Sequence, residues 1–128
     1  MKFSACKKYF FVPKINGNEN LKEDEQLQIE IIRPTAGNSD ELTKTKTSFD
    51  KDGKPVIETS FNTEVILKNH VGEIKNMVLE DDNGKEVKIT NGEELSEACF
   101  YGAKTLVSVI CTEVVSDKIT ASEKKISK

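Results

Sequence analysis

Apolar and polar residues alternate along several short stretches of this chain, the two-residue period of a strand with one buried face. The run YFFV, residues 9–12, ends at Pro13, and the alternating run 25–33 ends at Pro34. Proline removes a backbone donor and commonly ends a strand. The sequence therefore predicts two strands in this region, with the Asn-Gly-Asn stretch at 16–18 forming a turn after the first.

A hairpin is predicted in the second half of the chain. Met77 and Leu79 alternate with polar or smaller neighbours, as do Val87 and Ile89, on either side of the Asn-Gly dipeptide at 83–84. Asn-Gly accommodates the positive φ angles that a tight turn between twisted strands requires.

Two short helices flank this hairpin. Asn62 is placed to cap the first, with Val65, Ile66 and His70 on its buried side and Gly72 at its end.

The second helix is predicted to begin at Thr90 and Glu93, which have the spacing of a capping box. It should continue to about Phe100 and break at Gly102.

Residues 103–116 fit two secondary structures. The β-branched content of TLVSVICTEVV favours a strand. A strand would place Glu113 on the same face as Val109 and Cys111, whereas a helix collects the apolar residues on one face. We therefore favour a helix, with this apolar set: Ala103, Leu106, Val107, Ile110, Cys111 and Val114.

The segment 35–48 has little apolar periodicity, with Leu42 as its one large apolar residue and a possible short helix start at 39–41. We expect this segment to be mobile and to become ordered by a partner. Residues 1–117 should form a single domain, and the polar, lysine-rich residues 118–128 a frayed tail.

These elements predict an α+β fold. It has an antiparallel sheet of about four or five strands and two or three helices, the last packed across one face of the sheet. The chain has 128 residues, of which 36% are hydrophobic and 32% charged, the composition of a globular domain.

The charge and the cysteine content bear on the possible partners of the protein and on its redox compartment. The net charge is −3, and only the stretch KKYFFVPK, residues 7–14, combines lysines with aromatics as a nucleic-acid surface would. The same stretch is also explained by an edge strand with solvated lysines. The chain has three cysteines, Cys6, Cys99 and Cys111, which cannot all pair within one chain and form no CxxC motif. This favours a reducing compartment.

Targeting signals do not change this picture. The start MKFSAC resembles a lipoprotein cleavage box, but five residues are too few for a signal peptide. No stretch approaches the roughly 20 apolar residues of a membrane span. We therefore expect an intracellular protein without membrane association.

The stretches DKDGKPVIET (50–59) and DDNGKEVKIT (81–90) share an outline that suggests either a calcium loop or a tight turn. An EF-hand loop needs a bidentate carboxylate at its twelfth position, where both copies have threonine. Asp and Asn bond their own backbone and glycine accepts positive φ, so two hairpin turns explain the outline better. Pro55 would then lie at a sheet edge.

Catalytic signatures are absent from the sequence. His70 is the one histidine, and its place beside Val71 at a helix end suggests a partly buried structural residue. The seven glycines form no phosphate-binding loop, and the acidic pairs occupy turns and helix starts. The sequence thus assigns no catalytic residue, no cofactor-binding residue and no metal ligand, and predicts a protein that is not an enzyme.

The second half of the chain resembles small accessory proteins encoded among the tail genes of tailed bacteriophages and prophages. The likeness lies in the order of its segments: NHVGEI, IKNMVLED, NGKEVKIT, TNGEEL and a closing helix. The likeness lies mainly in residues 62–116, and FVPKINGNENL and QLQIEIIRPTA extend it weakly toward residue 9. Asn91 departs from the direct Thr-Gly of that group, as does the stretch 99–101. The matching residues are Ile74, Asn76, Met77 or Leu79, Gly84, Lys85, Val87, Ile89, Thr90, Gly92, Glu93, Glu94 and Leu95.

The resemblance implies a non-enzymatic protein that helps to build, chaperone or join the tail. Its partners would be other tail or assembly proteins, with a homo-oligomer as a further possibility, and its place the host cytoplasm or the virion. The first alternative is a small module that binds nucleic acid or a host factor, and the second is a calcium-binding module. The matching positions look structural, so the resemblance carries over no functional residue.

Overall fold

A computed structural model describes residues 7–98 and 103–116. Within these residues the chain forms six strands, three α-helices and two short 3-10 turns at Asn18–Asn20 and Ser39–Glu41. The strands are β1 (Lys8–Phe11), β2 (Gln28–Ile32), β3 (Thr43–Phe49), β4 (Pro55–Phe61), β5 (Val71–Glu80) and β6 (Glu86–Asn91). The helices are α1 (Thr63–Asn69), α2 (Gly92–Glu97) and α3 (Lys104–Val115).

The strands form two separate antiparallel sheets. Four of them make one sheet in the order β1-β2-β5-β6, and β3 pairs with β4 alone. The three helices pack on the four-stranded sheet, which confirms the predicted α+β class and the packing of the last helix.

The core lies between one face of the four-stranded sheet and the helices. Strand alternation buries Ile29 and Ile31 of β2 and Ile89 of β6 against the helices, while the opposite face carries mostly polar groups. The buried apolar side chains come from both layers: Ile29, Ile31, Ile74, Met77 and Ile89 from strands, and Ile66, Leu67, Leu95, Ile110 and Val114 from helices.

Residues 104–115 are helical, as the apolar spacing predicts. Leu106, Val107 and Ile110 share the buried face of α3. Glu113 lies at the border of that face, where its Oε2 accepts a hydrogen bond of 2.5 Å from the Tyr9 hydroxyl of β1. The bond ties the last turn of α3 to the edge of the sheet.

The predicted end of the first helix at Gly72 is wrong. The helix ends at Asn69, and Gly72 is the second residue of β5. His70 turns the chain into the sheet, because its carbonyl accepts the Ile32 N–H at 2.9 Å and its Nδ1 lies 3.0 Å from the Ile32 carbonyl oxygen. Two bonds to one β2 residue thus set where β5 begins.

The capping box of α2 lies one residue later than predicted. Asn91 is the N-cap, and its side-chain oxygen accepts the Glu94 N–H at 2.8 Å. Glu94 reaches back to the N–H and the hydroxyl of Thr90, each at 2.7 Å. Because β6 continues to Asn91, Thr90 stays in the strand and the helix begins at Gly92.

Gly92 allows α2 to approach the backbone of the preceding helix and strand. A Cβ atom at this position would lie 2.1 Å from the Leu67 carbonyl oxygen and 2.6 Å from that of Val71. Both are backbone atoms and cannot rotate away. The matching glycine in β5, Gly72, is crowded only by the flexible carboxylate of Glu30.

Some sequence predictions fall outside the described residues: Cys6, Cys99, the helix break at Gly102 and the tail 118–128. Among the described helices, none has the length and apolar character that crossing a membrane requires.

Replacing Gly92 with alanine should lower the free energy of unfolding by about 3 kcal/mol, because a new methyl group is forced against two carbonyl oxygens. The matched variant Gly72→Ala should change it by less than about 1 kcal/mol, since the Glu30 carboxylate can rotate away. Urea denaturation of both variants measures the difference. Equal losses would show that the approach of α2 is not sterically limited.

The Glu94 carboxylate should contribute to stability at neutral pH and not in acid. Its two hydrogen bonds from Thr90 lower its pKa in the folded protein. Because the pKa is lower in the folded than in the unfolded protein, the carboxylate stabilises the fold fully above the pKa of the unfolded chain, about 4.3. This stabilisation is lost as pH falls through the pKa of the folded protein.

The measurement is the free energy of unfolding of wild type and Glu94→Gln from pH 7 to pH 2. The difference between them should be constant above about pH 5 and should shrink in acid. Glu93→Gln removes a carboxylate from the same helical turn without touching Thr90 and is the control. A difference that does not depend on pH would contradict the cap.

Candidate functional site

The two repeated stretches are hairpin turns of the same construction. Asp50 Oδ1 accepts the N–H groups of Asp52 and Lys54, both at 2.9 Å. Gly53 follows with φ +77°. The carboxylate thus holds the turn from inside, as the turn interpretation predicts.

The second copy repeats these bonds. Asp81 Oδ1 accepts the N–H groups of Asn83 and Lys85 at 2.9 and 2.8 Å, and Gly84 also has φ +77°. The predicted turn is confirmed at both places. Among residues 7–98 and 103–116, no three His, Cys, Asp or Glu side chains are grouped as metal ligands.

His70 is a structural histidine, as predicted, and is more deeply buried than expected, with 1% of its surface exposed. A contact between Nδ1 and a carbonyl oxygen requires that Nδ1 carry the proton. Nε2 is buried, and none of the described residues forms a hydrogen bond with it. The ring therefore fastens α1 to β2 and is closed to solvent.

Cys111 is a buried thiol on α3. Burial raises its pKa, although a hydrogen bond with the Thr63 side chain acts in the opposite direction. A thiol with a raised pKa is a poor nucleophile, which fits the predicted role as a small apolar residue.

The basic stretch at residues 7–14 contains β1, an edge strand of the sheet, which confirms the strand interpretation. The Phe10 ring lies 4.4 Å from the Lys75 ammonium group, a cation–π contact that covers one face of the ring. Nucleic-acid binding through this stretch stays a prediction.

Strands β3 and β4 project from the four-stranded body as an arm, defined as residues 43–61. From residue 44 to residue 60 every residue is exposed except Ser48, which is half-buried. The arm pairs along its whole length, from Thr43 opposite Phe61 to Phe49 opposite Pro55. It is therefore a regular hairpin whose two faces are almost entirely in solvent.

The segment 35–48, which lacks apolar periodicity, supplies the first strand of this arm. The strict alternation of Thr and Lys from residue 43 to residue 47 is the strand signal that a search for apolar periodicity misses. The structure gives these residues regular pairing, and their mobility stays a prediction.

Body and arm are joined by a short root. Leu42 is buried, and its carbonyl accepts the Asn62 N–H at 2.8 Å. Asn62 is the N-cap residue of α1, as predicted, but its side chain makes no cap bond and instead donates to the Glu41 carbonyl at 3.2 Å, which closes the root. Phe61 packs against the core.

The two faces of the arm differ in charge. Residues directly opposite in an antiparallel pair share a face. One face carries Lys44, Lys46 and Glu58, and the other carries no charge. This uncharged face consists of Thr43, Thr45, Thr47, Phe49, Pro55, Ile57, Thr59 and Phe61.

Large apolar groups on the uncharged face are open to water. Phe49 is 72% exposed and Ile57 68% exposed. Burying either side chain completely would stabilise a complex by about 1.5–3 kcal/mol. The uncharged face is the strongest candidate for a functional surface among the described residues.

An apolar groove of about 450 Å³ opens between the loop after β1, the middle of β5 and the first turn of α3. Leu21 forms part of its rim and is 47% exposed. The described residues that line the groove carry no charge: Ile15, Asn16, Asn18, Leu21, Leu27, Asn76, Met77, Val78, Leu79, Ala103, Thr105 and Leu106.

A second cleft of about 640 Å³ lies along the first half of β5, where the charged residues Glu73, Lys75 and Lys88 are among its lining residues. Asn76, at its edge, has φ +64° and donates from Nδ2 to the carbonyls of Asp24 and Gln26. The positive φ of Asn76 thus has a structural explanation, because it accompanies the two bonds that hold the loop 21–27.

Comparisons with known proteins do not identify a family or a function for this chain. The chain matches no protein-family model, no curated protein and no solved structure.

Two phenylalanines on the same face test whether the arm stands apart from the core. Phe49→Ala at the tip should change the free energy of unfolding by less than about 0.5 kcal/mol, because the ring is already in water. Phe61→Ala at the root should lower it by about 2 kcal/mol through lost packing. Urea denaturation gives both values. An equal loss at the tip would mean that the arm is part of the core.

Proposed function

We propose that this chain is a non-enzymatic assembly protein of a tailed bacteriophage or prophage that acts through protein-protein contacts of its arm. The resemblance of residues 62–116 to tail-gene-region proteins supports the phage setting. The physical support is the uncharged face of the arm, on which Phe49 and Ile57 are both exposed.

An exposed pair of this kind is expected at a binding surface. Single apolar side chains are common on protein surfaces, whereas contiguous apolar surface marks interaction sites, and Phe49 and Ile57 are both exposed on one uncharged face. Thr45, Thr47 and Thr59 complete this face, and their hydroxyl groups stay solvated until a partner covers them.

The arm is a regularly paired hairpin in the structure. Seven opposed residue pairs define its register, and the Asp50 carboxylate fixes its tip through two backbone hydrogen bonds. A hairpin that keeps this pairing when free would lose less conformational entropy on binding than an unpaired loop, which raises affinity for a given area.

The partners in this proposal are tail or assembly proteins, and the contacts form in the host cytoplasm, after which the chain stays with the tail or is released. The exposed, uncharged face of the arm is the observation that supports a binding function.

Deleting the gene from the phage or prophage that carries it should abolish complete tails, seen by electron microscopy of induced lysates. A plasmid copy of the wild type should restore them, and Ile57→Glu should not, because the new charge lies in the middle of the uncharged face. Val87→Glu, also at an exposed apolar residue but on β6, is the matched control. Normal tails without the gene would refute the proposal.

A further inference from the structure

Asparagine is followed directly by glycine at three places in this chain, 16–17, 83–84 and 91–92. At such an Asn-Gly step the glycine nitrogen can attack the side-chain amide carbon of the asparagine, because glycine has no β-carbon to shield its nitrogen. A nitrogen–carbon bond closes a succinimide ring, and the amide nitrogen leaves as ammonia with the glycine N–H proton. Water then opens the ring to aspartate or isoaspartate, which carries one new negative charge. The dipeptide is the same at all three places, so the fold decides which step reacts first.

The step at 91–92 is held on both sides. Asn91 is the N-cap of α2, and its Oδ1 accepts the Glu94 N–H at 2.8 Å. Gly92 is buried, and a β-carbon there would lie 2.1 Å from the Leu67 carbonyl oxygen. Ring closure requires the asparagine side chain to turn toward the glycine nitrogen and the backbone between them to rotate. Neither movement is possible here without breaking the cap and the contact between the helices.

The step at 83–84 is exposed, but its attacking nitrogen is already bonded. The Gly84 N–H donates to the Asp81 carbonyl at 3.0 Å, and Asp81 Oδ1 accepts the N–H groups of Asn83 and Lys85. The Gly84 nitrogen must leave its bond before it can attack, and the carboxylate holds the backbone on either side of it. A hydrogen bond that has to break first slows a reaction by about two- to tenfold.

The step at 16–17 is open. Asn16 is exposed, and a β-carbon at Gly17 would meet no atom within 4 Å. Within residues 7–98 and 103–116, neither the Asn16 side chain nor the Gly17 N–H forms a hydrogen bond. The turn around this step is closed by the bond from the Asn18 N–H to the Ile15 carbonyl at 2.9 Å, which uses neither of the reacting groups. The nucleophile and the amide that it attacks are thus both free to move.

We infer that Asn16 is a site of spontaneous deamidation and that it reacts before Asn83 and Asn91 in the folded protein. The reaction consumes water alone and needs no enzyme, since the Gly17 nitrogen is the nucleophile. The inference does not depend on the proposed assembly role.

Deamidation changes the loop after β1. Buried Asn18 fastens this loop, because its Nδ2 donates to the carbonyls of Pro13 and Leu27 at 2.9 and 3.0 Å and its Oδ1 accepts the Leu27 N–H at 2.8 Å. Isoaspartate at position 16 lengthens the main chain within the turn 15–18 and so displaces Asn18 from these partners. Either product also places a negative charge among the uncharged residues that line the apolar groove, of which Asn16 is one.

Peptide mapping by mass spectrometry measures the conversion of each asparagine while the full chain is incubated at mildly alkaline pH, where loss of the glycine N–H proton speeds ring closure. In the folded protein Asn16 should convert about two- to tenfold faster than Asn83, and Asn91 should be the slowest. Labelling with a protein isoaspartate methyltransferase identifies the isoaspartate product. In guanidinium chloride the three residues should react at similar rates, because unfolding removes the bonds that distinguish them.

Substitutions test the cause of this order. Asp81→Ala removes the carboxylate that holds the step at 83–84 and should accelerate deamidation of Asn83 without changing that of Asn16. Asn16→Gln should remove the earliest modification, because glutamine closes a six-membered ring more slowly, and Asn83→Gln is the matched control that should leave it in place.

Three results would overturn the inference. The first is an Asn16 that keeps its amide or reacts no faster than Asn83 in the folded protein. The second is the same order of rates in the folded and the unfolded chain, which would mean that the neighbouring sequence and not the fold decides. The third is an Asp81→Ala variant in which Asn83 reacts no faster than in wild type.

Discussion

The close approach of α2 to the junction of α1 and β5 is the constraint on which the body of this protein depends. Gly92 lies where a Cβ atom would be 2.1 Å from one carbonyl oxygen, so the two short helices meet backbone to backbone. Leu67 of α1 and Leu95 of α2 are both completely buried in the core that these helices cover. Helices of six and seven residues have little stability alone, and packing of this kind is what holds them.

Histidine and asparagine side chains fasten the remaining junctions. His70 joins the end of α1 to β2, Asn76 holds the loop 21–27, and Asn62 closes the root of the arm. Each uses a side chain to satisfy a carbonyl that lies outside a regular ladder, which is how irregular connections avoid unpaired backbone groups. The domain thus has a small apolar core and a frame of side-chain to backbone bonds around it.

The same type of turn, held by an aspartate side chain, occurs twice in the chain but connects different kinds of hairpin. The Asp-centred turns at 50–54 and 81–85 make the same backbone hydrogen bonds, yet the second joins two strands of the main sheet and the first forms the tip of the arm. The turn fixes its own geometry, and the flanking strands decide where it points. Val87 and Ile89 carry the second hairpin into the sheet, whereas Thr and Lys residues leave the first in solvent, with Phe49 exposed at its tip.

The sequence by itself determined the strand and helix periods, the two hairpin turns and the α+β class, because each depends on residues close together in the chain. Short-range patterns could not place Asn91 as the N-cap over Thr90, since the pairing of β6 with β5 keeps Thr90 extended. They also could not show that Gly92 is pressed against Leu67 or that residues 43–61 stand apart from the core. Only the tertiary structure decided these points, because steric contact and solvent exposure depend on neighbours that are distant in sequence.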